Sequence, residues 1–547
     1  MDERMELLVI DYRAGRYTRR QFVRKALSFG LAATAIPVLL EMGGDQPNVE
    51  ALPKAEAAGP QKTVVMALAQ PTTIADPANA QTYGDIQVIN NNIYEPIVRN
   101  KTGTVTLEPC LARSWDISDD GLTYTFHLRP AFFHDGTPVT ADAVKLNFER
   151  QIDSKNPYNL PSFPLAEVLF DSVSKVEAVN PTTLRVTQKR PDASLLANLA
   201  AEAAGIASRA VIEKYGKDFG ANASAASGSG PFKLEHWDKG VQFVQVANER
   251  YWGGRPRLDR VVWKSVEDST VRLQQLRAGE IDVMTDVAAK DIPALKADKR
   301  FKVITGDILN VQFIVLNQTK PPLDKIEVRQ AIQFAINKAN ISKVAFNDNY
   351  TVGGGPLMPG ILGYDKSLQS VYAYDPKRAK DLLQKTGLGE NVELALTHRL
   401  HAFWPEVAQL IQADLQAVGI KLTLQPVDDA AFYPRLRTSQ HQLALSDWTN
   451  DTGDPSEGLA YQFASNATVA RMGYKNPDVV KLISDAQLER NPSKRQDMYV
   501  RLQRMILADA YYVTLGYRKE AWAARANVQA LTTSPLRDVV MRGVSLG

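Results

Sequence analysis

Leu111-Ala-Arg-Ser-Trp115-Asp-Ile-Ser-Asp-Asp-Gly121-Leu-Thr-Tyr124-Thr-Phe-His-Leu-Arg129, running on to Phe133-His-Asp-Gly136-Thr-Pro138-Val-Thr140-Ala-Asp142, places several local signals side by side. Asp119-Asp120-Gly121 is turn chemistry, because short polar side chains bond nearby backbone and glycine tolerates positive φ. Leu122, Tyr124, Phe126 and Leu128 then alternate with polar residues, the period-2 pattern of a half-buried strand. Phe133-His134-Asp135-Gly136 reads as a second tight connection, with Gly136 in a conformation costly for other residues. Thr140 can cap the free N–H groups of a following helix, and Asp142 falls in its first turn, where the dipole favours negative charge. Val144 and Phe148, with Leu146 fitting less well, supply that helix's apolar side. Trp115, Tyr124 and Phe126 are therefore read as core.

Outward from this block the alternation continues. Thr63–Leu68 is a short β-prone run. Val328, Ala331, Ile332, Ala335 and Ile336 form an i, i+3, i+4 stripe, which predicts a helix over Val328–Ala339. The same pattern over Ala402–Val418 stops at Gly419, a helix C-cap, and Ile420–Gln425 then alternates as a strand. Helix, glycine and strand make half of a βαβ unit. No repeat of about 20–50 residues appears from Lys62 onward, which argues against solenoids and propellers. The expected fold class is α/β.

Composition narrows the function. The chain of 547 residues is 44% hydrophobic and 23% charged, a globular balance that excludes general disorder. Its 64 Lys+Arg against 61 Asp+Glu leave a net charge of +3, too balanced for affinity resting on phosphate neutralisation. No nucleic-acid partner is expected. The single cysteine, Cys110, permits neither an internal disulfide nor a cysteine zinc cluster.

The N-terminus reads as an address. Thr18-Arg19-Arg20-Gln21-Phe22-Val23-Arg24-Lys25 leads into the uncharged run Ala26–Leu40, whose 15 residues fall short of the roughly 20 that span a bilayer. With the small-residue exit Ala55-Glu56-Ala57, residues 1–57 are read as a cleaved secretory signal. Arg19-Arg20 ahead of Phe22 resembles a twin-arginine signal. No second apolar segment of spanning length follows, so the mature chain is expected to be periplasmic and without an integral span.

Catalytic signatures are sparse. Ser229 in Gly228-Ser229-Gly230-Pro231 is not a nucleophile elbow. Ser172-Val-Ser-Lys175 fits S-x-x-K without supporting motifs. His127, His134, His236, His398, His401 and His441 are scattered. His398 and His401 could meet on a helix, but neither H-E-x-x-H nor an acidic third ligand accompanies them. The chain is read as a non-enzyme, with no cofactor and no resident metal.

The opening block strongly resembles the signature of extracellular solute-binding protein family 5, the dipeptide- and oligopeptide-type receptors of ABC importers. Asn92-Ile-Tyr94-Glu95-Pro96, Gly228-Ser-Gly230-Pro231, Asn248-Glu-Arg-Tyr251-Trp252-Gly253-Gly254, Leu276-Arg-Ala-Gly279-Glu280-Ile-Asp282 and Asp447-Trp448-Thr-Asn-Asp451-Thr-Gly-Asp454-Pro455 resemble further segments of that family in order. The likeness runs through nearly all of 62–547. It implies a two-lobed periplasmic-binding-protein fold with an extra subdomain on the first lobe. Expected boundaries are 58–101 for the first lobe, 102–209 for the extra subdomain, 210–310 for the first lobe again, 311–513 for the second lobe, and 514–547 for the return. Crossings near Leu309–Phe313 and Tyr512–Gly516 are hinge candidates. The implied ligand is a short, dipeptide-like peptide, the implied partner an inner-membrane ABC permease, and the expected state a monomer.

The resemblance also proposes the site. Peptide receptors of this family hold the ligand's ammonium with an aspartate in a Trp-x-x-Asp segment, here Trp448-Thr449-Asn450-Asp451. Asp451 is thus the expected amine partner and Trp448 an apolar wall, while Asp454, followed by Pro455, reads as a turn or cap. Dipeptide-type members hold the carboxylate with an arginine ahead of a helix, which places Arg399 there; a guanidinium fork suits a carboxylate. The family's Arg-Pro-Tyr departs here to Arg399-Leu400-His401. Oligopeptide-type members can carry an arginine where this chain has Leu445. First-lobe contributions are expected near Ile74–Asn79 and Tyr94. Alternatives are another solute, such as glutathione, an opine, a metal–chelator complex or an oligosaccharide, or a periplasmic peptidase.

Overall fold

The computed structural model describes residues 62–80, 82–159, 166–389, 392–400, 402–465 and 472–547. The expected signal segment, with Arg19, Arg20 and the Ala55-Glu56-Ala57 site, lies outside the described residues, as does His401. Among the described residues, no helix is long and apolar enough to cross a membrane.

One mixed sheet of eleven strands organises the described chain. Its order is Ile420–Val427, Val392–Arg399, Leu443–Thr449, Phe301–Leu316, Tyr512–Arg525, Val283–Met284, Thr63–Leu68, Arg260–Ser265, Gln242–Ala247 and Phe232–Asp238, with Tyr350–Val352 pairing separately onto Tyr512–Arg525. Thr63–Leu68 runs parallel to Arg260–Ser265 towards one end of the sheet, and Val392–Arg399 runs parallel to Ile420–Val427 at the other. The expected half-unit is therefore a complete βαβ crossover: Trp404–Gln416 is the helix, and Gly419, at φ +90°, turns the chain into Ile420–Val427.

Two long antiparallel strands, Phe301–Leu316 and Tyr512–Arg525, run from one half of the sheet to the other. Their pairing slips between Asp307 and Val311 and again between Gln312 and Phe313. Such bulges bend a strand and raise its twist. They fall within the stretch Asp307–Phe313. In one half, Ile314, Leu316, Val513 and Leu515 are buried against the apolar stripe Val328, Ala331, Ile332 and Ala335. In the other half, Trp522 and Ala524 pack with Val64, Met66 and Trp263.

A separate antiparallel sheet of Ala112–Ile117, Thr123–Leu128, Thr183–Gln188 and Val173–Asn180 has its own core. Tyr124, Phe126 and Leu128 are buried in it with Val144 and Phe148 of the helix Ala141–Ile152. Thr140 caps that helix by accepting from the Ala143 N–H, and Gly136 sits at φ +88°. Three of the other segments, those holding Glu95, Ser229 and Tyr251-Trp252, meet on one buried carboxylate. Glu95 accepts from Tyr251 Oη at 2.7 Å, Trp252 Nε1 at 2.7 Å and Ser229 Oγ at 3.2 Å, and pairs with Arg99 at 3.1 Å. Ser229 and Trp252 thereby serve the scaffold.

One helix differs from its expected span. The stripe at Val328–Ala339 yields a helix over Ile326–Ala335; Ile336 is extended, and a new helix covers Lys338–Phe346. Asn337 explains the break, since its side chain accepts from the Asn340 N–H at 3.0 Å and caps the second helix.

Candidate functional site

The strand Leu443–Thr449 ends where the chain turns away from the sheet, and the loop after it is built almost wholly from its own side chains. Asn450 accepts from the Gly453 N–H at 2.7 Å and donates to the Asp454 carbonyl at 2.7 Å, closing the turn. Gly453, at φ +77°, occupies the left-handed position this turn requires. Glu457 braces the loop from the next helix, accepting the Asp451 N–H at 2.8 Å, the Thr452 N–H at 3.0 Å and the Thr452 hydroxyl at 3.1 Å. Asp454 caps the helix Pro455–Phe463 and takes a two-pronged bond from Arg495 at 2.6 and 2.8 Å. Its role as a cap, read from the following Pro455, is the observed one.

Asp451 is held differently. It faces a cavity of about 360 Å³ that Trp448, Thr449, Asp447, Tyr433 and Tyr461 also line, with Tyr83 contributed from the first lobe. No lysine, arginine or histidine pairs with Asp451 among the described residues. Burial pushes its carboxyl up to about 6. Two more carboxylates stand behind it. Glu457 is pushed up by burial and by the Asp451 charge. Glu202, from the first-lobe turn Glu202–Ala204, is raised to about 8, chiefly by burial and next by Asp451. No basic side chain among the described residues offsets these three carboxyls, so a cation bound beside Asp451 would favour their ionised forms. Trp448 stacks on Tyr461 at 4.3 Å between ring centroids, and both rings line the cavity.

A second cavity of about 300 Å³ adjoins the first, and Tyr83, Arg399 and Asp447 line both. Arg399 lies 4.1 Å over the Trp404 ring and 5.2 Å over Phe432. It is ion-paired with Asp447, whose other oxygen accepts from Asn310 at 3.0 Å. The guanidinium assigned to a ligand carboxylate is thus already committed to a carboxylate of the protein. Asp447 was quoted as part of a motif, but nothing in its spacing marks it as a partner for a residue 48 positions away.

First-lobe contact comes from Tyr83 and not from Tyr94. Tyr94 is fully buried, its hydroxyl donating to the Ala75 carbonyl at 2.6 Å and its ring set edge-on to Phe219. It anchors the Ile74–Asn79 segment from beneath, which corrects the expectation that it meets ligand. Tyr83 begins the helix Tyr83–Ile89, and Thr82 with Asp85 forms a capping box at that end. Gly84 lets the helix press on the preceding loop: a Cβ there would overlap the Pro71 carbonyl oxygen. The Tyr83 hydroxyl then reaches across the cleft to Thr449 Oγ1 at 2.9 Å. Arg537 lies 3.8 Å over the Tyr83 ring and pairs with Asp286 at 3.1 Å and Glu520 at 3.2 Å. The capping signature Thr82-x-x-Asp85 could have located this helix start; the reach of Tyr83 across the cleft had no local signal.

Among the described residues, the histidines do not gather on this cleft as a set. His398 is buried with Nδ1 3.0 Å from the Arg399 carbonyl, and His441 is buried.

Residues 106–469 match the model of the bacterial extracellular solute-binding proteins, family 5 middle region. The chain is 31% identical over 483 residues to heme-binding protein A of Haemophilus influenzae, covering 84% of this chain and 87% of that protein. It is 30% identical over 477 residues to the dipeptide-binding protein of Escherichia coli, covering 83% and 89%. Among solved structures, the periplasmic binding protein DppA of Helicobacter pylori in complex with the peptide STSA superposes with a TM-score of 0.76 at 29% identity, covering 88% of this chain and 98% of that one.

Proposed function

Because this chain belongs to the bacterial extracellular solute-binding proteins of family 5, we propose that it is a non-catalytic receptor that captures a short peptide between its lobes and presents it to an ABC permease in the inner membrane. One observation carries the peptide reading: Asp451 lines the cavity with no basic side chain paired to it among the described residues, and its charge, with burial, holds Glu202 and Glu457 towards their neutral forms. An α-ammonium would neutralise that end, whereas an unpaired buried charge is costly. The Trp448 and Tyr461 rings form a wall against which the first side chain can lie without selection by specific hydrogen bonds.

In this reading the two bulged strands supply a bendable link, and the bond from Tyr83 to Thr449 helps hold the cleft closed. Ligand would stabilise the closed form by touching both lobes at once. The twin-arginine-like N-terminus fits export to the periplasm, where such a receptor meets its permease; the mature receptor is taken to act as a monomer.

A mass spectrum of small molecules released from the purified protein tests the ligand class directly. A free-amine peptide supports the reading. Heme, glutathione, an opine, a metal–chelator complex or an oligosaccharide recovered in stoichiometric amount would replace it.

A further inference from the structure

Three guanidiniums line the second cavity, and their partners differ. Arg399 is paired with Asp447, and Arg537 is paired with Asp286 and Glu520. Arg518, on the strand Tyr512–Arg525, has no carboxylate within ion-pair reach among the described residues. Its guanidinium rests 5.2 Å over the Phe403 ring, a contact that orients the group, and the residue lines the cavity. Arginine presents its N–H donors as a planar fork matched to a carboxylate.

From this difference we infer that Arg518, and not Arg399, receives the carboxylate of the bound peptide. The inference rests on the peptide reading above and extends it to ligand length. Asp451 lines only the first cavity and Arg518 only the second, while Arg399 and Asp447 line both. A ligand held at both ends therefore passes the neutral Arg399–Asp447 pair and occupies both chambers. An extended peptide advances about 3.3–3.6 Å per residue, so tripeptides and tetrapeptides are favoured over dipeptides. The position on a strand that runs through both lobes gives the contact a further consequence: a carboxylate held there touches the element that bends on closure.

Isothermal titration with Ala-Ala, tri-alanine and tetra-alanine, each also as the C-terminal amide, tests the assignment. Wild type should bind the free acid of the longer peptides about 30-fold or more tightly than the amide, the effect of removing one member of a desolvated pair. In Arg518→Gln the same amidation should cost only about twofold, and Arg518→Lys should restore part of the difference. The pair-deleted variant Arg399→Gln/Asp447→Asn should keep the full amidation effect. Amidation costing wild type and Arg518→Gln equally, or losing its effect in the pair-deleted variant, overturns the inference. Tightest binding of the dipeptide overturns the length assignment. N-acetylation of the same peptides reports on the other end: binding that is sensitive to acetylation but indifferent to Arg518 leaves the peptide reading intact and refutes this one. Absence of binding by every free peptide refutes both. Unchanged melting temperatures establish that the variants compared are folded.

Discussion

Asp451 and Asp454 stand three positions apart on one loop and share a side chain, yet the fold uses them oppositely. Asp454 points back under the helix it caps, where Arg495 grips both oxygens and Ser456 donates from its N–H at 2.9 Å. Asp451 points outward to the cavity, with carboxylates rather than cations behind it. The same contrast recurs among the arginines, where Arg399 and Arg495 are ion-paired with carboxylates of the protein and Arg518 is not among the described residues. What separates scaffold from binding group is therefore whether the protein itself supplies the counter-charge. A satisfied pair holds structure, and an unsatisfied group is available to a ligand.

The sharpest way to break this comparison is to remove a counter-charge from the scaffold member. Arg495→Met leaves Asp454 buried and unpaired, and should cost about 3–5 kcal/mol of stability in denaturant titrations. Asp451→Asn should cost the unliganded protein nothing, because it relieves like charges. Equal destabilisation by the two would erase the distinction.

Binding should show the reverse order. Asp451→Ala is expected to weaken a free-amine peptide by about 2–5 kcal/mol, roughly 30-fold to several thousand-fold, with an unchanged melting temperature. N-acetylation of the peptide should be costly for wild type and nearly neutral for Asp451→Ala. If acetylation costs both equally, Asp451 does not hold the amine.

The pH dependence sharpens the same point. Asp451 is raised to about 6 and Glu202 to about 8, chiefly by burial. In the unfolded chain such groups titrate near ~3.9 and ~4.3. Between those values the folded protein holds protons that the unfolded chain has released, so this contribution to stability is complete below about pH 4 and is lost as pH rises through about 6 and on towards 8. Denaturation midpoints of the unliganded protein should decline over that window, and Asp451→Asn should flatten the lower part. Affinity for a free-amine peptide should move the other way, weakening by up to roughly tenfold per unit as pH falls below about 6. A pH-independent affinity would argue against a titrating carboxylate in contact with ligand.

The smallest effect belongs to the bridge between lobes. Tyr83→Phe removes the bond to Thr449, worth about 0.5–1.5 kcal/mol, and should weaken ligand about two- to tenfold through a less stable closed form. Small-angle scattering should show less compaction at subsaturating peptide; compaction identical to wild type would show that the bridge does not favour closure.

The sequence by itself determined the elements whose signals are local. Thr140 and Asp142 marked a helix start because capping groups act within one turn, and Tyr124, Phe126 and Leu128 marked a buried strand face because side chains alternate along a strand. The order of motifs, read as a resemblance, also led to Asp451 and Trp448 at the cleft. Its limits lie where a residue's role depends on what the fold brings opposite it. Tyr94 sits in a motif but faces the core, since the chain passes Ala75 and Phe219 over it. Arg399 has the expected side chain, yet Asp447, distant in sequence, reaches it through neighbouring parallel strands that bring Leu396 beside Leu443 and Thr397 beside Ala444. Tyr83 and Arg518 carried no motif at all. Only the tertiary structure decides such cases, because charge compensation and burial depend on distance in space, and pairing across a sheet joins positions that no local pattern relates.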